Sequence, residues 1–118
     1  MKDILARAEE LGDAIAASDR FAAVSAARGD IESDAPLQAD MQALADLGRK
    51  LAELEDQTKP IEPEEKRRLR DLQNKVTFHP KIQALARAEA DFAELMNRVN
   101  RAIRGRFAAG QPTEEEEA

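Results

Sequence analysis

The last third of the chain contains an apolar pattern that only a long helix can satisfy. After Pro80 the sequence runs to Gly105 without a further glycine or proline. At spacings of three, seven, four, three and four it places the large apolar residues Ile82, Leu85, Phe92, Met96, Val99 and Ile103. This pattern predicts one amphipathic helix. About 26 helical residues would extend roughly 39 Å, more than a compact chain of this size needs across its core, so the stripe requires partner helices.

A second apolar seam in the middle of the chain is the predicted companion of the first. Its members are Leu37, Met41, Leu44, Leu47, Leu51 and Leu54. Their spacing is close to that of a coiled-coil seam. Gly48 lies within this predicted helix. A glycine there would be explained either by close helix approach or by an ordinary surface position. Because segments 37–54 and 82–103 match in length and pattern, we expect two long antiparallel helices forming a hairpin, extended by oligomerisation.

Two shorter helices are predicted at the beginning of the chain. A stripe at spacings of four, three and four predicts the first over about Asp3–Ala17. Ser18 has the residue type of an N-cap, and the second helix should begin near Asp19 and weaken at Gly29. The side chains expected to point inward from the second helix are Phe21, Val24 and Ala27.

A proline-rich connector separates the middle helix from the fourth. Segment 58–63 carries two prolines, and Pro63 suits the first turn of a helix predicted over about Pro63–Thr77. The apolar side chains expected to be buried there are Leu69, Leu72 and Val76. The predicted fold is therefore all-α, with about five helices, of which the N-terminal and linking ones are short. The last is expected to end at Gly105 with Gly110 and Pro112.

Composition predicts one cytoplasmic domain over residues 1–108, followed by a disordered acidic tail at 109–118. The chain is 42% apolar but has no Trp, no Tyr and four Phe, so its core must be aliphatic. It has no Cys, which excludes a disulfide framework and thiolate-held metal within this chain. No apolar run approaches the roughly 20 residues that span a bilayer, so we expect no membrane insertion.

The charge of the chain is unevenly distributed. The net charge is −6, with four negative charges at Glu114–Glu117. Near the end of the last predicted helix lie four basic residues: Arg98, Arg101, Arg104 and Arg106. They complement a helix dipole on a solvated face, or they form a patch that contacts a polyanion or an acidic partner. Both interpretations remain open from the residues alone.

The sequence contains no recognisable catalytic or cofactor-binding constellation. His79, the one histidine, directly precedes Pro80, where it can cap the next helix or pack beside Phe78. It lacks the second His, the Cys or the suitably spaced carboxylates that a metal site or a general base would need. The glycines are scattered and form no phosphate-binding loop. We therefore expect a non-enzymatic protein that uses no cofactor.

The layout resembles the YlbF/YmcA family of small bacterial helical regulators over nearly the whole chain up to Phe107. The resemblance is carried by segment 8–12 with Ile15 and Ser18, by segment 63–65, by Val-Thr-Phe-His-Pro-Lys-Ile at 76–82, and by the helix at 88–103. In that family the residue before the proline is customarily Asn, whereas here it is His79. Either residue can precede a helix that starts with proline.

The resemblance implies an all-α protein that forms homo-oligomers or hetero-oligomers and has no enzymatic activity of its own. In Bacillus-type members it further implies control of competence, sporulation and biofilm formation, through a complex associated with messenger-RNA processing by a membrane-bound endoribonuclease. Some of those complexes carry iron–sulfur clusters. Because clusters need cysteines and this chain has none, cluster binding is not expected of this subunit.

Two hypotheses for function follow. The first is a regulatory adaptor that presents its long helices to a second copy, to related helical subunits or to a ribonuclease. The residues assigned to its interface are Leu44, Leu51, Phe92, Met96, Val99 and Ile103, of which at least half would equally serve as intrachain core. The second hypothesis is an RNA-contacting accessory protein that uses the C-terminal arginines, although the aromatic residues that stack on bases are nearly absent.

Overall fold

The computed structural model describes residues 1–108, and almost all of them are helical. Five α-helices follow one another: α1 (Lys2–Ala16), α2 (Asp19–Glu32), α3 (Ala35–Asp56), α4 (Pro63–Thr77) and α5 (Pro80–Ala108). No strand occurs within these 108 residues. The all-α prediction and the number of helices are confirmed. The predicted acidic tail at 109–118 lies outside the described residues.

The chain divides into two compact units, and the division falls inside α2 and α5. Of the described residues, one unit contains 1–24 and 87–108, and the other contains 25–86. In the first unit the buried apolar residues are Val24 and Ala88. In the second they are Ala27, Ile31, Leu37 and Leu51. Few side chains are fully buried in either unit.

The start of α2 follows from a side-chain cap. The Ser18 hydroxyl accepts a hydrogen bond from the Phe21 backbone N–H at 3.2 Å and donates to the Ile15 carbonyl at 2.6 Å. This satisfies one of the N–H groups that the first turn of a helix leaves unpaired. The predicted N-cap is confirmed.

The second helix is longer than predicted, because burial outweighs the low helix propensity of glycine. It continues past Gly29 to Glu32. Ile31 lies in this extension and is buried. Burying such a side chain is worth about 1.5–3 kcal/mol, against a glycine cost of about 1 kcal/mol.

The third and fourth helices form an antiparallel hairpin. Lys50 Nζ, late in α3, lies 2.7 Å from Glu65 Oε1 early in α4, and Lys75 Nζ, late in α4, lies 3.1 Å from Asp40 Oδ2 early in α3. The positions of the two ion pairs therefore show that the helices run antiparallel. Sequence analysis named the last helix as the hairpin partner of α3, and the structure places α4 along α3. A connector of only six residues between them favours neighbouring antiparallel helices.

The end of α3 is fixed by a left-handed residue. Thr58 has φ of 54°, the Lys59 N–H donates to the Leu54 carbonyl at 2.9 Å, and the Thr58 N–H donates to the Glu55 carbonyl at 3.0 Å. This pair of bonds is a Schellman motif. It is usually built on glycine, because a β-branched residue is strained at positive φ.

The α4 residues expected to be buried are only half-buried in the hairpin with α3. They are Leu69, Leu72 and Val76. The last helix was expected to end at Gly105 but continues to Ala108, the last described residue. A glycine that ends a helix adopts positive φ, and no described glycine does so.

Candidate interaction surface

The start of α2 holds α5 through two consecutive side chains. Arg20 Nη1 donates to the Asp91 carbonyl at 3.1 Å and lies 3.6 Å from Glu94 Oε1. The Phe21 ring lies 5.6 Å from the Phe92 ring, centroid to centroid, with the planes tilted by 59°. This geometry is favourable for an aromatic pair. Phe92, predicted to be an interface residue, is therefore partly covered by its own chain.

The apolar face of α5 becomes more exposed toward its C-terminal end. Met96 and Val99 are half-buried, whereas Ile103 is 42% exposed and Phe107 is 65% exposed. The prediction named the first three and missed Phe107. Phe107 follows Ile103 at a spacing of four and so continues the same stripe, but ending the helix at Gly105 excluded it. We call the residues Met96, Val99, Ile103 and Phe107 the α5 apolar face.

The two predicted interface residues of α3 belong to the other compact unit. Leu44 is half-buried, and Leu51 is buried within the chain. Leu51 is thus already covered by its own chain. The predicted interface residues on α3 and on α5 thus belong to different compact units, and their role in an interface stays a prediction.

Three arginines near the end of α5 lie on a different face from its apolar residues. At about 100° of rotation per residue, Arg98, Arg101 and Arg104 centre on the side away from the α5 apolar face. Arg98 Nε lies 3.7 Å from Glu94 Oε1. Arg101 and Arg104 line a shallow concavity together with Asn97 and Asn100. Arg106 is also exposed, and residues 95–108 include no acidic residue.

The first helix has an apolar stripe that the chain leaves exposed. None of its residues is buried. Ile4 is 70% exposed and Leu5 is 53% exposed, and Leu11 is also exposed. The spacing of these residues predicts the stripe, but an amphipathic pattern alone does not tell whether the chain covers it.

The lone histidine has a structural position at the junction of α4 and α5. His79 Nδ1 accepts a hydrogen bond from the Lys81 backbone N–H at 3.1 Å, which confirms the helix-capping alternative. Asp34 Oδ2 lies 4.0 Å from His79 Nε2 and 3.0 Å from Lys81 Nζ. The hydrogen bond from the Leu37 backbone N–H and that from Lys81 hold the pKa of the Asp34 carboxyl below its usual value.

No described feature provides a metal site or a membrane span. Within residues 1–108 no three histidine, aspartate or glutamate side chains are placed to share a metal ion. Across the same part of the chain, no helix is both long enough and apolar enough to cross a bilayer.

Comparison with known proteins gives one match. The sequence matches the family described as "Control of competence regulator ComK, YlbF/YmcA" over residues 4–106. The matched region includes all of α2, α3 and α4 and most of α1 and α5. No match was found among curated proteins or among solved structures.

Proposed function

We propose that this chain, which belongs to the YlbF/YmcA family of competence regulators, is a non-enzymatic adaptor that acts through helix-mediated protein contacts. One observation carries the proposal: α5 ends in exposed large apolar side chains on the continuation of a half-buried stripe. These are Ile103 and Phe107. The description of the family as a control of a competence regulator supports a regulatory role.

A partner that covers the end of the α5 apolar face removes large apolar side chains from water. Covering a large apolar side chain is worth about 1.5–3 kcal/mol, so Ile103 and Phe107 together can anchor a partner that fits them. Aromatic residues are enriched among the residues that dominate binding energy at interfaces. Half-buried Met96 and Val99 extend the same face toward the Phe21–Phe92 contact. A partner helix is the natural complement of such a stripe.

The proposed partners are a second copy, related helical subunits or a ribonuclease of a messenger-RNA processing complex. The first two follow from the exposed stripe, since helices of this kind cover one another. The ribonuclease and the link to RNA processing rest on the family resemblance and on no contact within this chain.

The test is a pull-down from the native cell with mass spectrometry. The tagged full chain is compared with a variant carrying Ile103→Glu and Phe107→Glu, and with Asn97→Glu on another face of α5. We expect related subunits or a ribonuclease to be recovered with the wild type and the control, and lost with the double variant. Equal recovery with all three would contradict the role of the α5 apolar face.

A second candidate function is RNA contact through the basic face of α5. The observation in its favour is that Arg101 and Arg104 project from a face distinct from the apolar one, so a protein and a polyanion would not compete for it. The test measures binding of a fluorescent single-stranded RNA at low salt. We expect Arg101→Glu with Arg104→Glu to abolish binding and Arg67→Glu with Arg68→Glu, on α4, to reduce it less. No binding at low salt, even after removal of Glu114–Glu117, would eliminate this function.

A further inference from the structure

Three arginines form a row along one side of α5, three residues apart. They are Arg98, Arg101 and Arg104, and we call them the α5 basic face. Arg98 Nε lies 3.7 Å from Glu94 Oε1. In the described part of the chain, neither Arg101 nor Arg104 forms an ion pair, and the residue four positions before each is an asparagine. Like charges that neighbour one another on a helix repel, so an anion placed along this row would relieve the repulsion.

The hydrogen-bond donors on this face suit a carboxylate as well as a phosphate. Arg101 and Arg104 line a shallow concavity together with Asn97 and Asn100. Guanidinium groups bind carboxylates through charge-assisted hydrogen bonds, and side-chain amides add further N–H donors. Because the α5 apolar face lies on another side of the helix, an anion bound here leaves that face open.

The sequence supplies four consecutive carboxylates shortly after the end of α5. The acidic segment Glu114–Glu117 follows the last described residue, Ala108, after a link of five residues. Four extended residues span about 10 Å from first to last. The arginine row from Arg98 to Arg104 spans six residues of helix, or about 9 Å. The two rows of opposite charge therefore match in length.

The link is long enough to bring these carboxylates back along the helix. From Ala108 to Glu114 the chain can extend at most about 20 Å. Measured along the helix axis, Arg104 lies only about 6 Å before Ala108 and Arg101 about 10 Å. The link at 109–113 contains one glycine and one proline, which are residue types that favour turns.

We infer that the acidic segment Glu114–Glu117 lies along the α5 basic face of its own chain and competes there with polyanions. The occupant is this segment because its charge is opposite, its length matches the arginine row and its short link holds it nearby. Such a link gives a local concentration on the order of millimolar. A polyanion binds this face only by displacing four carboxylates, so weakly charged ligands are excluded. The competition rests on the RNA contact proposed above as a second function, whereas the contact within the chain does not.

A nitroxide spin label on Ala118→Cys measures the contact without any ligand. The chain has no cysteine, so the label occupies a single position. We expect the label to broaden the backbone amide resonances of residues 97–104 in a proton–nitrogen NMR spectrum. Replacing all four residues of Glu114–Glu117 by glutamine should remove most of this broadening, as should salt at about 1 M, where charges are screened beyond about 3 Å. Equal broadening with the acidic and the glutamine segments would overturn the inference.

Two controls locate the contact. Arg101→Glu with Arg104→Glu should abolish the broadening, whereas Arg67→Glu with Arg68→Glu, in the other compact unit, should leave it unchanged. Circular dichroism of each variant checks that the helices remain. A spin-labelled chain is also mixed with an isotope-labelled chain that carries no spin label, and we expect no broadening in the mixture. Broadening as strong as that within one chain would overturn the placement of the segment on its own α5.

Binding of a fluorescent single-stranded RNA at low salt tests the competition. We expect the chain with the glutamine segment to bind at least about fivefold more tightly than the wild type, because no carboxylate then has to be displaced. A matched control removes four negative charges from the end of α3 and the connector after it, and should gain less than about twofold. Its changes are Glu53→Gln, Glu55→Gln, Asp56→Asn and Glu62→Gln. Equal gains in the two variants would show an effect of net charge alone and overturn the competition. If none of the chains binds RNA, the second candidate function and the competition both fail, and the NMR measurement still decides whether the segment contacts the α5 basic face.

Discussion

Asp34 Oδ2 lies 3.0 Å from Lys81 Nζ, and the same carboxylate caps α3 by accepting the Leu37 N–H through Oδ1 at 3.0 Å. One side chain thus joins the first turn of α3 to the first turn of α5 within one compact unit. The Asp34 side chain is only 16% exposed, so water competes little for it.

Two substitutions of Asp34 should separate its two roles. Asn caps helices about as well as Asp but cannot form the ion pair with Lys81, whereas Ala does neither. We expect the melting temperature to fall for Asp34→Asn and to fall further for Asp34→Ala. Thermal unfolding followed by circular dichroism measures both. Equal melting temperatures of the two variants would show that the cap contributes nothing.

The lowered pKa of Asp34 predicts a loss of stability in acid. A carboxyl whose pKa is lower in the folded state contributes stability above its unfolded pKa of about 3.9, and this contribution disappears as pH falls through the folded value. The stability advantage of the wild type over Asp34→Asn should therefore be constant near neutral pH and shrink below about pH 4. Urea unfolding of both proteins at several pH values measures it. An advantage that grows in acid would contradict the sign.

Thr58 is a site where glycine should stabilise the protein. Its φ of 54° strains a β-branched residue, and the left-handed region costs a non-glycine residue about 1–2 kcal/mol. We expect Thr58→Gly to raise the free energy of unfolding by about 1 kcal/mol. Gln57→Gly is the matched control, because Gln57 has an ordinary φ of −86° and should gain nothing. Urea unfolding of both variants compares them.

Replacing Gly48 by alanine should stabilise the protein. A Cβ built on Gly48 meets no atom within 4 Å, so close helix approach does not explain this glycine. The sequence left two interpretations of Gly48, close helix approach or an ordinary surface position. The structure favours the second. We expect Gly48→Ala to stabilise α3 by about 0.5–1 kcal/mol, and Ala45→Gly in the same helix to lose a similar amount. A loss of stability in Gly48→Ala would indicate a contact with another chain at this position.

Leu37 is the most buried large side chain and should be the most sensitive to truncation. It is 2% exposed. We expect Leu37→Ala to lower the free energy of unfolding by about 2–5 kcal/mol, because apolar burial is lost and a cavity remains. Leu5→Ala on α1 is the matched control and should cost little in a monomeric sample, because Leu5 is exposed. Chemical denaturation at low protein concentration keeps any self-association out of the comparison.

The positions of the helices could be predicted from sequence because their limits depend on local chemistry. Ser18, the Asp34–Pro36 turn and Pro63 start helices through caps and fixed dihedral angles, which act over three or four residues. The bounds of α4 agree with the prediction for this reason. The errors fell at Gly29 and Gly105, where helix propensity alone favours an end. At Gly29 the burial of Ile31, which lies further along the chain, outweighed that preference.

The sequence by itself determined five helices, an aliphatic composition and the residues that form the stripes of α1, α3 and α5, because helical period and capping are properties of neighbouring residues. Only the tertiary structure decided that α4 lies along α3, and that most of the α1 stripe and the end of the α5 stripe stay exposed. An apolar stripe does not by itself specify which other helix covers it. Which stripe covers which depends on connector length and on competition among all the helices for the same surfaces, and this competition is settled only in three dimensions.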